Sequence, residues 1–271
     1  MKVELNGVQI GYDDVGTGTP VVFIHGFPHD RTLWSQQIDM LSMQVRCVAP
    51  DLRGFGESGG DERTSIDQYA DDVAGLMTHL QIERAVICGL SMGGYVAMCM
   101  WRRHSDRVLA LALCDTRYGA DSDDGKQKRN DLIALARRDG SAAVAANQIT
   151  GMLGKTTREK RPDVVAATKA MMERASVVAI VGALTAMRDR EDSRASLATV
   201  TVPTLVVVGD EDVLTPVAEA QSIVSALSPA AAARLEVIEG SGHATCIERP
   251  AAVTHVLADF LAMLPANNRL S

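Results

Sequence analysis

Aromatic residues make up only 4% of this 271-residue chain. Proteins that hold single-stranded nucleic acid need rings on which bases stack, and here there is no basic cluster with aromatics interleaved. The 34 acidic residues outnumber the 27 basic ones, for a formal charge of −7. That sign repels phosphate backbones and anionic bilayers, so neither nucleic acid nor membrane is expected as a partner. The longest apolar stretch, Ala175 to Met187, is closed by Arg174 and Arg188 and contains Gly182. It falls short of the ~20 residues a spanning helix requires and reads as a partly buried helix. The opening Met1-Lys2-Val3-Glu4-Leu5-Asn6 alternates like a strand and has no apolar core of a secretory signal.

The five cysteines (47, 88, 99, 114, 246) are odd in number, scattered, and never spaced C-x-x-C. A disulfide framework is therefore not expected, and the thiols read as small core hydrophobes in a reducing, cytoplasmic compartment. The six histidines lack metal-ligand spacing such as H-E-x-x-H, so no metal is expected. Apolar content of 46% and charged content of 23% are those of an ordinary globular protein whose length can bury a large core.

Against this background one pentapeptide stands out: Gly89-Leu90-Ser91-Met92-Gly93. It follows the apolar run Ala85-Val86-Ile87-Cys88 and precedes a helix-like run from Gly94. A strand that turns sharply into a helix through G-x-S-x-G presents its serine as a nucleophile. Side chains at 89 and 93 would collide with backbone, and the helix N-terminus beneath Ser91 favours developing negative charge. Such a serine needs a base, a group that orients the base, and donors for an oxyanion. Three further runs end in polar residues: Pro20–Ile24 in His25-Gly26-Phe27-Pro28, Thr204–Gly209 in Asp210-Glu211-Asp212, and Leu235–Ile238 in Glu239-Gly240-Ser241-Gly242-His243. In a parallel sheet all of these would lie on one edge, where open α/β folds bind ligands.

These blocks, together with Asp51-Leu52-Arg53-Gly54-Phe55-Gly56-Glu57-Ser58, stand in the order found in α/β-hydrolases. Over nearly its whole length the chain resembles that fold family, in the branch of bacterial esterases, enol-lactonases and cofactor-free haloperoxidases. The resemblance implies a Ser-His-Asp triad in which Ser91 attacks an acyl carbonyl and His243 takes and returns the proton. The family pattern favours Asp212 as the acid, with Asp210, Glu211 and, after the sixth strand, Asp115 as competitors. It also implies an oxyanion hole made by the N–H groups of Phe27 and Met92. No cofactor is called for. The expected substrate is a small ester or lactone, opened through an acyl-enzyme. Carbon–carbon bond hydrolysis and perhydrolysis use the same triad, and a non-catalytic small-ligand receptor is the reading of another class. Asp at the elbow, as in haloalkane dehalogenases and many epoxide hydrolases, is absent.

His25 is expected to hydrogen-bond backbone and hold the oxyanion loop, while His29 and Trp34 serve either substrate contact or surface and packing. Arg53 and Asp51 suggest an internal ion pair in a scaffold loop.

The periodicity predicts strands at 2–5, 8–14, 20–24, 45–50, 85–89, 108–114, 204–209 and 234–238. Asn6-Gly7 marks a two-residue hairpin turn. Helices are predicted near 32–43, 65–80, 92–104, 216–227 and 250–264. The fold class is thus α/β: a mostly parallel eight-stranded sheet with helices on both faces. Residues 1–117 and 200–271 form the core domain. Residues 118–199 read as helical throughout, a cap inserted after the sixth strand. Four cap methionines (152, 171, 172, 187) suit either an adaptable apolar pocket or simple packing. Lys126, Lys128 and Arg129 read as a solvated helix face, with no cationic clamp. Oligomeric state is not legible.

Overall fold

The computed structural model describes residues 1–264. Eight strands form one sheet: β1 (Lys2–Leu5), β2 (Val8–Val15), β3 (Pro20–Ile24), β4 (Arg46–Pro50), β5 (Ala85–Leu90), β6 (Val108–Cys114), β7 (Thr204–Gly209) and β8 (Arg234–Ile238). Their spatial order is β1-β2-β4-β3-β5-β6-β7-β8. From β4 to β8 every pairing is parallel; β1 and β2 join antiparallel at one edge. At the β1–β2 turn Asn6 and Gly7 both have positive φ, 48° and 79°, as a type I′ hairpin requires.

Every residue of β3, β5, β6 and β7 is buried. This is why those segments read as continuous apolar runs: helices cover both faces, so no side of the strand needs to be polar. Alternate side chains feed two cores. Val22 and Ile24 point into one with α2 (Ile66–His79) and α3 (Met92–His104), whereas Val21 and Phe23 point into the other with α1 (Ser35–Leu41) and the C-terminal Pro250–Met263 helix.

Between β6 and β7 lie α4 (Asp123–Met152), α5 (Lys155–Lys160), α6 (Pro162–Glu173), α7 (Val177–Arg188) and α8 (Arg194–Leu197). The predicted helical stretch is real and contains no strand. Helix α4 breaks at Gly140, whose φ of 80° interrupts two helical runs. Beyond β7 come α9 (Val217–Ala226), the short α10 (Thr245–Glu248) and α11 (Pro250–Met263), with Pro250 in its first turn, where its missing N–H costs nothing. No single helix among the described residues is long and apolar enough to cross a membrane; α6 and α7 would qualify only together and meet at 93°.

Two local expectations are corrected. The helix near 32–43 is split into a 3₁₀ turn at Arg31–Trp34, capped by the Asp30 side chain, and α1. Arg53 does not pair with Asp51. The 51–58 loop reverses at Gly54 and Gly56 (φ 88° and 51°). Arg53 there bonds Asp72 of α2 at 2.8 and 2.9 Å. Asp51 is instead taken by the Arg31 side chain and by the Arg31 and Glu57 amides.

Candidate active site

Ser91 stands between the end of β5 and the start of α3 with φ 54° and ψ −110°. For a residue with a Cβ that geometry costs about 1–3 kcal/mol, so the surroundings must enforce it. They do: the Ser91 N–H donates to Cys114 O at 2.9 Å, and the Ser91 carbonyl accepts from the Gly94 N–H at 2.9 Å and the Thr116 hydroxyl at 2.8 Å. The turn is also too tight for any other residue at its flanks. A Cβ on Gly89 would lie 2.1 Å from the Gly93 carbonyl oxygen, and one on Gly93 would lie 2.2 Å from that of Ile24.

His243 follows β8 and is buried. Its Nε2 lies 2.8 Å from Ser91 Oγ, and its Nδ1 lies 2.8 Å from Asp212 Oδ2. Asp212 Oδ1 accepts the N–H groups of Leu214 (2.8 Å) and Thr215 (2.9 Å), and Oδ2 accepts the Thr215 hydroxyl at 2.6 Å. Burial alone would push the Asp212 pKa up; the His243 ring and the bonds from Thr215 outweigh it and hold the carboxyl at about 2. Three side chains distant in sequence thus form one hydrogen-bonded chain.

The competing carboxylates lie elsewhere. Asp210 is exposed and accepts the Ser241 N–H at 3.3 Å. Glu211 binds the N–H and hydroxyl of Thr156, at 2.7 and 2.5 Å, and so ties the β7 loop to α5. Asp115 is fully buried, accepting the Gly209 N–H at 3.0 Å and the Thr245 hydroxyl at 2.5 Å. Burial, reinforced by the neighbouring Asp212, pushes the Asp115 pKa well above the usual carboxylate range.

The loop after β3 packs against the serine. His25 Nε2 accepts the Leu52 N–H at 3.0 Å, which leaves Nδ1–H to donate to the Gly26 carbonyl at 3.0 Å. Its ring is fully buried, which lowers its pKa, and it bonds backbone as expected, here on two loops. The Phe27–Pro28 peptide is cis, and the His29 N–H closes the turn onto Gly26 O at 3.0 Å. The N–H groups of Phe27 and Met92 have no hydrogen-bond partner among the described residues. His29 and Trp34 are interior: burial holds His29 at about 3, Trp34 packs on Phe23 with ring centroids 5.4 Å apart, and neither lines the cavity.

That cavity, about 760 Å³, has Ser91 and His243 in its wall together with Phe27, Tyr95, Leu132, Leu135, Met152, Met187 and Leu214. The methionines divide: 152 and 187 line it, whereas Met172 is sealed in a small core with Leu153 and Met171 packs against the other sheet face. The cavity is less apolar than expected. Arg117, Lys128 and Arg129 also line it; Lys126 and Lys128 are exposed, as a solvated helix face implies, and Arg129 is half-buried. Arg129 is engaged by Asp121 at 3.0 Å, and Arg117 by the Leu214 carbonyl. Met43 and Val213, by contrast, are exposed apolar side chains, the latter at the cavity rim.

Sequence reasoning missed two residues. Thr215 touches both Asp212 and His243; its signal is a hydroxyl residue three past an aspartate in a loop, where such side chains bond locally. Glu248, fully buried, accepts the Gly242 N–H beside His243 and the Gly154 N–H ahead of α5, each at 2.8 Å. Nothing local marks it, since Gly154 lies 94 residues away.

Comparison with known proteins identifies the family to which this fold belongs. The profile of the alpha/beta hydrolase fold matches residues 19–250. An AB hydrolase superfamily protein of Bacillus subtilis is 30% identical, with 93% of this chain and 95% of that protein aligned. Among solved structures, a thermophilic esterase from Thermogutta terrifontis superposes with a TM-score of 0.93 at 34% identity, covering 97% of this chain and 99% of the esterase. An enol-lactonase from Burkholderia xenovorans LB400 gives 0.89 at 28% identity, covering 97% and 100%. The chain belongs to the α/β-hydrolase fold family.

Proposed function

We propose that the protein hydrolyses carboxylic esters or lactones through an acyl-enzyme formed on Ser91. The observation that carries this is the chain Ser91 Oγ–His243 Nε2 and His243 Nδ1–Asp212 Oδ2, each link 2.8 Å, at the wall of a cavity able to hold a small molecule. Neutral His243 takes the serine proton as Ser91 attacks the carbonyl, and the imidazolium returns a proton to the leaving alkoxide. Asp212 holds the Nδ1–H tautomer and stabilises the transient cation. The free N–H groups of Phe27 and Met92 receive the oxyanion; being backbone donors fixed before the reaction, they need no reorganisation as charge develops. Water then attacks the acyl-enzyme with His243 again as base. In a lactone the leaving alkoxide stays attached, and the product is a hydroxy acid.

Ester and lactone chemistry is supported by the esterase and the enol-lactonase among the structural relatives. Residues 118–199 act as a cap on the 1–117 and 200–271 core, because α4 and α7 supply the Leu132, Met152 and Met187 side of the cavity. The five free thiols favour a reducing cytoplasm.

Turnover of p-nitrophenyl acetate tests the reading. Ser91→Ala should abolish it while leaving the circular dichroism spectrum unchanged, and a fluorophosphonate should add its mass at Ser91 of the wild type. Hydrolysis surviving in Ser91→Ala would overturn the proposal.

A further inference from the structure

We propose that Thr215 is a positioning residue: its hydroxyl fixes the Asp212 carboxylate and gives His243 Nδ1–H a second acceptor, holding the imidazole in the tautomer that leaves Nε2 free for the serine proton. The inference rests on the assignment of Ser91, His243 and Asp212 made above.

One residue grips both carboxylate oxygens. The Thr215 N–H binds Asp212 Oδ1 at 2.9 Å and its hydroxyl binds Oδ2 at 2.6 Å, so the carboxylate plane cannot turn without breaking one of them. The same hydroxyl oxygen lies 3.1 Å from His243 Nδ1. A threonine hydroxyl has one proton and two lone pairs. The shorter contact is to a carboxylate, which has no proton to give and makes the stronger, charge-assisted bond. The proton therefore goes to Oδ2, and what faces Nδ1 is a lone pair. Nδ1 must then be the donor, sharing its hydrogen between Oδ2 and the threonine oxygen. The other tautomer would set a bare ring nitrogen against two oxygen atoms, or force the hydroxyl to abandon the carboxylate. Thr215 is 3% exposed and stands in the cavity wall. Its β-branched side chain also has few χ1 alternatives, which keeps the oxygen in place.

The test compares Thr215→Val, which keeps the shape without the hydroxyl, with Thr215→Ser, which keeps the hydroxyl. With p-nitrophenyl acetate, kcat of Thr215→Val should fall roughly tenfold, the worth of one hydrogen bond, with KM unchanged. Thr215→Ser should restore kcat. In proton NMR, the low-field Nδ1–H resonance of His243 should be sharp in wild type and Thr215→Ser and broadened by exchange in Thr215→Val. If the valine variant does not fold, Thr215→Ala gives the same two readings. Wild-type kcat together with an unchanged resonance in the hydroxyl-free variant overturns the inference, as does a serine variant no better than valine. Ser91→Ala run alongside separates the two levels: activity there refutes the serine mechanism, whereas an inactive Ser91→Ala beside an unaffected Thr215→Val refutes only the role of Thr215.

Discussion

Asp212→Asn changes one atom and should disable the enzyme without disturbing its fold. The amide can sit in the acid's place in two ways. In one, its oxygen replaces Oδ1 and keeps the N–H bonds of Leu214 and Thr215, now at 2.8 and 2.9 Å. The NH₂ group then occupies the Oδ2 position, 2.8 Å from His243 Nδ1 and 2.6 Å from the Thr215 hydroxyl oxygen, which turns to accept from it. In the flipped alternative the NH₂ would face those two backbone donors and leave both buried and unsatisfied, at about 1–3 kcal/mol each. The first arrangement wins. There the amide can only donate, so Nδ1 must accept, and the ring proton moves to Nε2, aimed at Ser91 Oγ. An imidazole in that tautomer cannot take the serine proton, and no carboxylate remains to stabilise the imidazolium. The expected loss in kcat is on the order of 10³–10⁴, about 4–5.5 kcal/mol in the barrier. Steady-state hydrolysis of p-nitrophenyl acetate measures it, with urea unfolding as the control for stability. Should Asp212→Asn keep more than about a tenth of wild-type kcat, while Asp210→Asn or Asp115→Asn loses it, the acid has been misassigned.

Two other carboxylates carry predictions of different sign. Asp115→Asn should turn over substrate at close to the wild-type rate, because an amide can accept the Gly209 N–H and donate to Thr245, and Asn tolerates the φ of 45° found there. Since the native pKa of Asp115 lies well above the ordinary 3.8, its contribution to stability is present below that value and drains away as pH rises. The urea midpoint of Asp115→Asn should therefore gain on wild type as pH goes from about 4 to 8; a relative loss would refute the burial argument. Glu248→Gln retains one acceptor and turns an NH₂ toward either Gly154 or Gly242, orphaning a buried N–H. It should lose about 1–3 kcal/mol of stability and lower kcat more than it raises KM; an unchanged urea midpoint would contradict this.

How much of this was legible in the sequence follows from where the constraints lie. Strands β3, β5, β6 and β7 were readable because a parallel strand covered on both faces has to be apolar throughout. Of the elbow's glycines, Gly93 answers to the carbonyl of Ile24, 69 residues away, whereas Gly89 answers to a collision only four residues on, which made the turn readable. The same holds for residues just past a strand, which placed Asp212 and His243 on one edge. What was not readable comes from distant partners. Arg53 met Asp72 and not its near neighbour Asp51, since two positive-φ glycines turned the loop away. Lys128 and Arg129 lie on a polar helix face, but that this face borders the cavity of Ser91 depends on the tertiary placement of α4. Thr215 has a local contact with Asp212, but the contacts of Thr215 with His243 and of Glu248 with Gly154 span 28 and 94 residues, and no local pattern encodes those.

Those long-range pairings also tie the insertion to the His243 loop. Its segment around Met152–Gly154 is stitched to the His243 loop: Ala244 N–H donates to Met152 O at 3.1 Å, and one carboxylate, Glu248, bridges Gly154 and Gly242. The two glycines touch so closely that a Cβ on Gly242 would lie 2.2 Å from the Gly154 nitrogen. Glu211 adds its two bonds to Thr156. Displacing this end would pull on the residue that has to stay 2.8 Å from Ser91 Oγ. The opposite end of the long helix is held as well: Asp121 pairs with both Arg129 and Arg190, and Asn130 accepts from Arg188 of α7 at 2.8 Å.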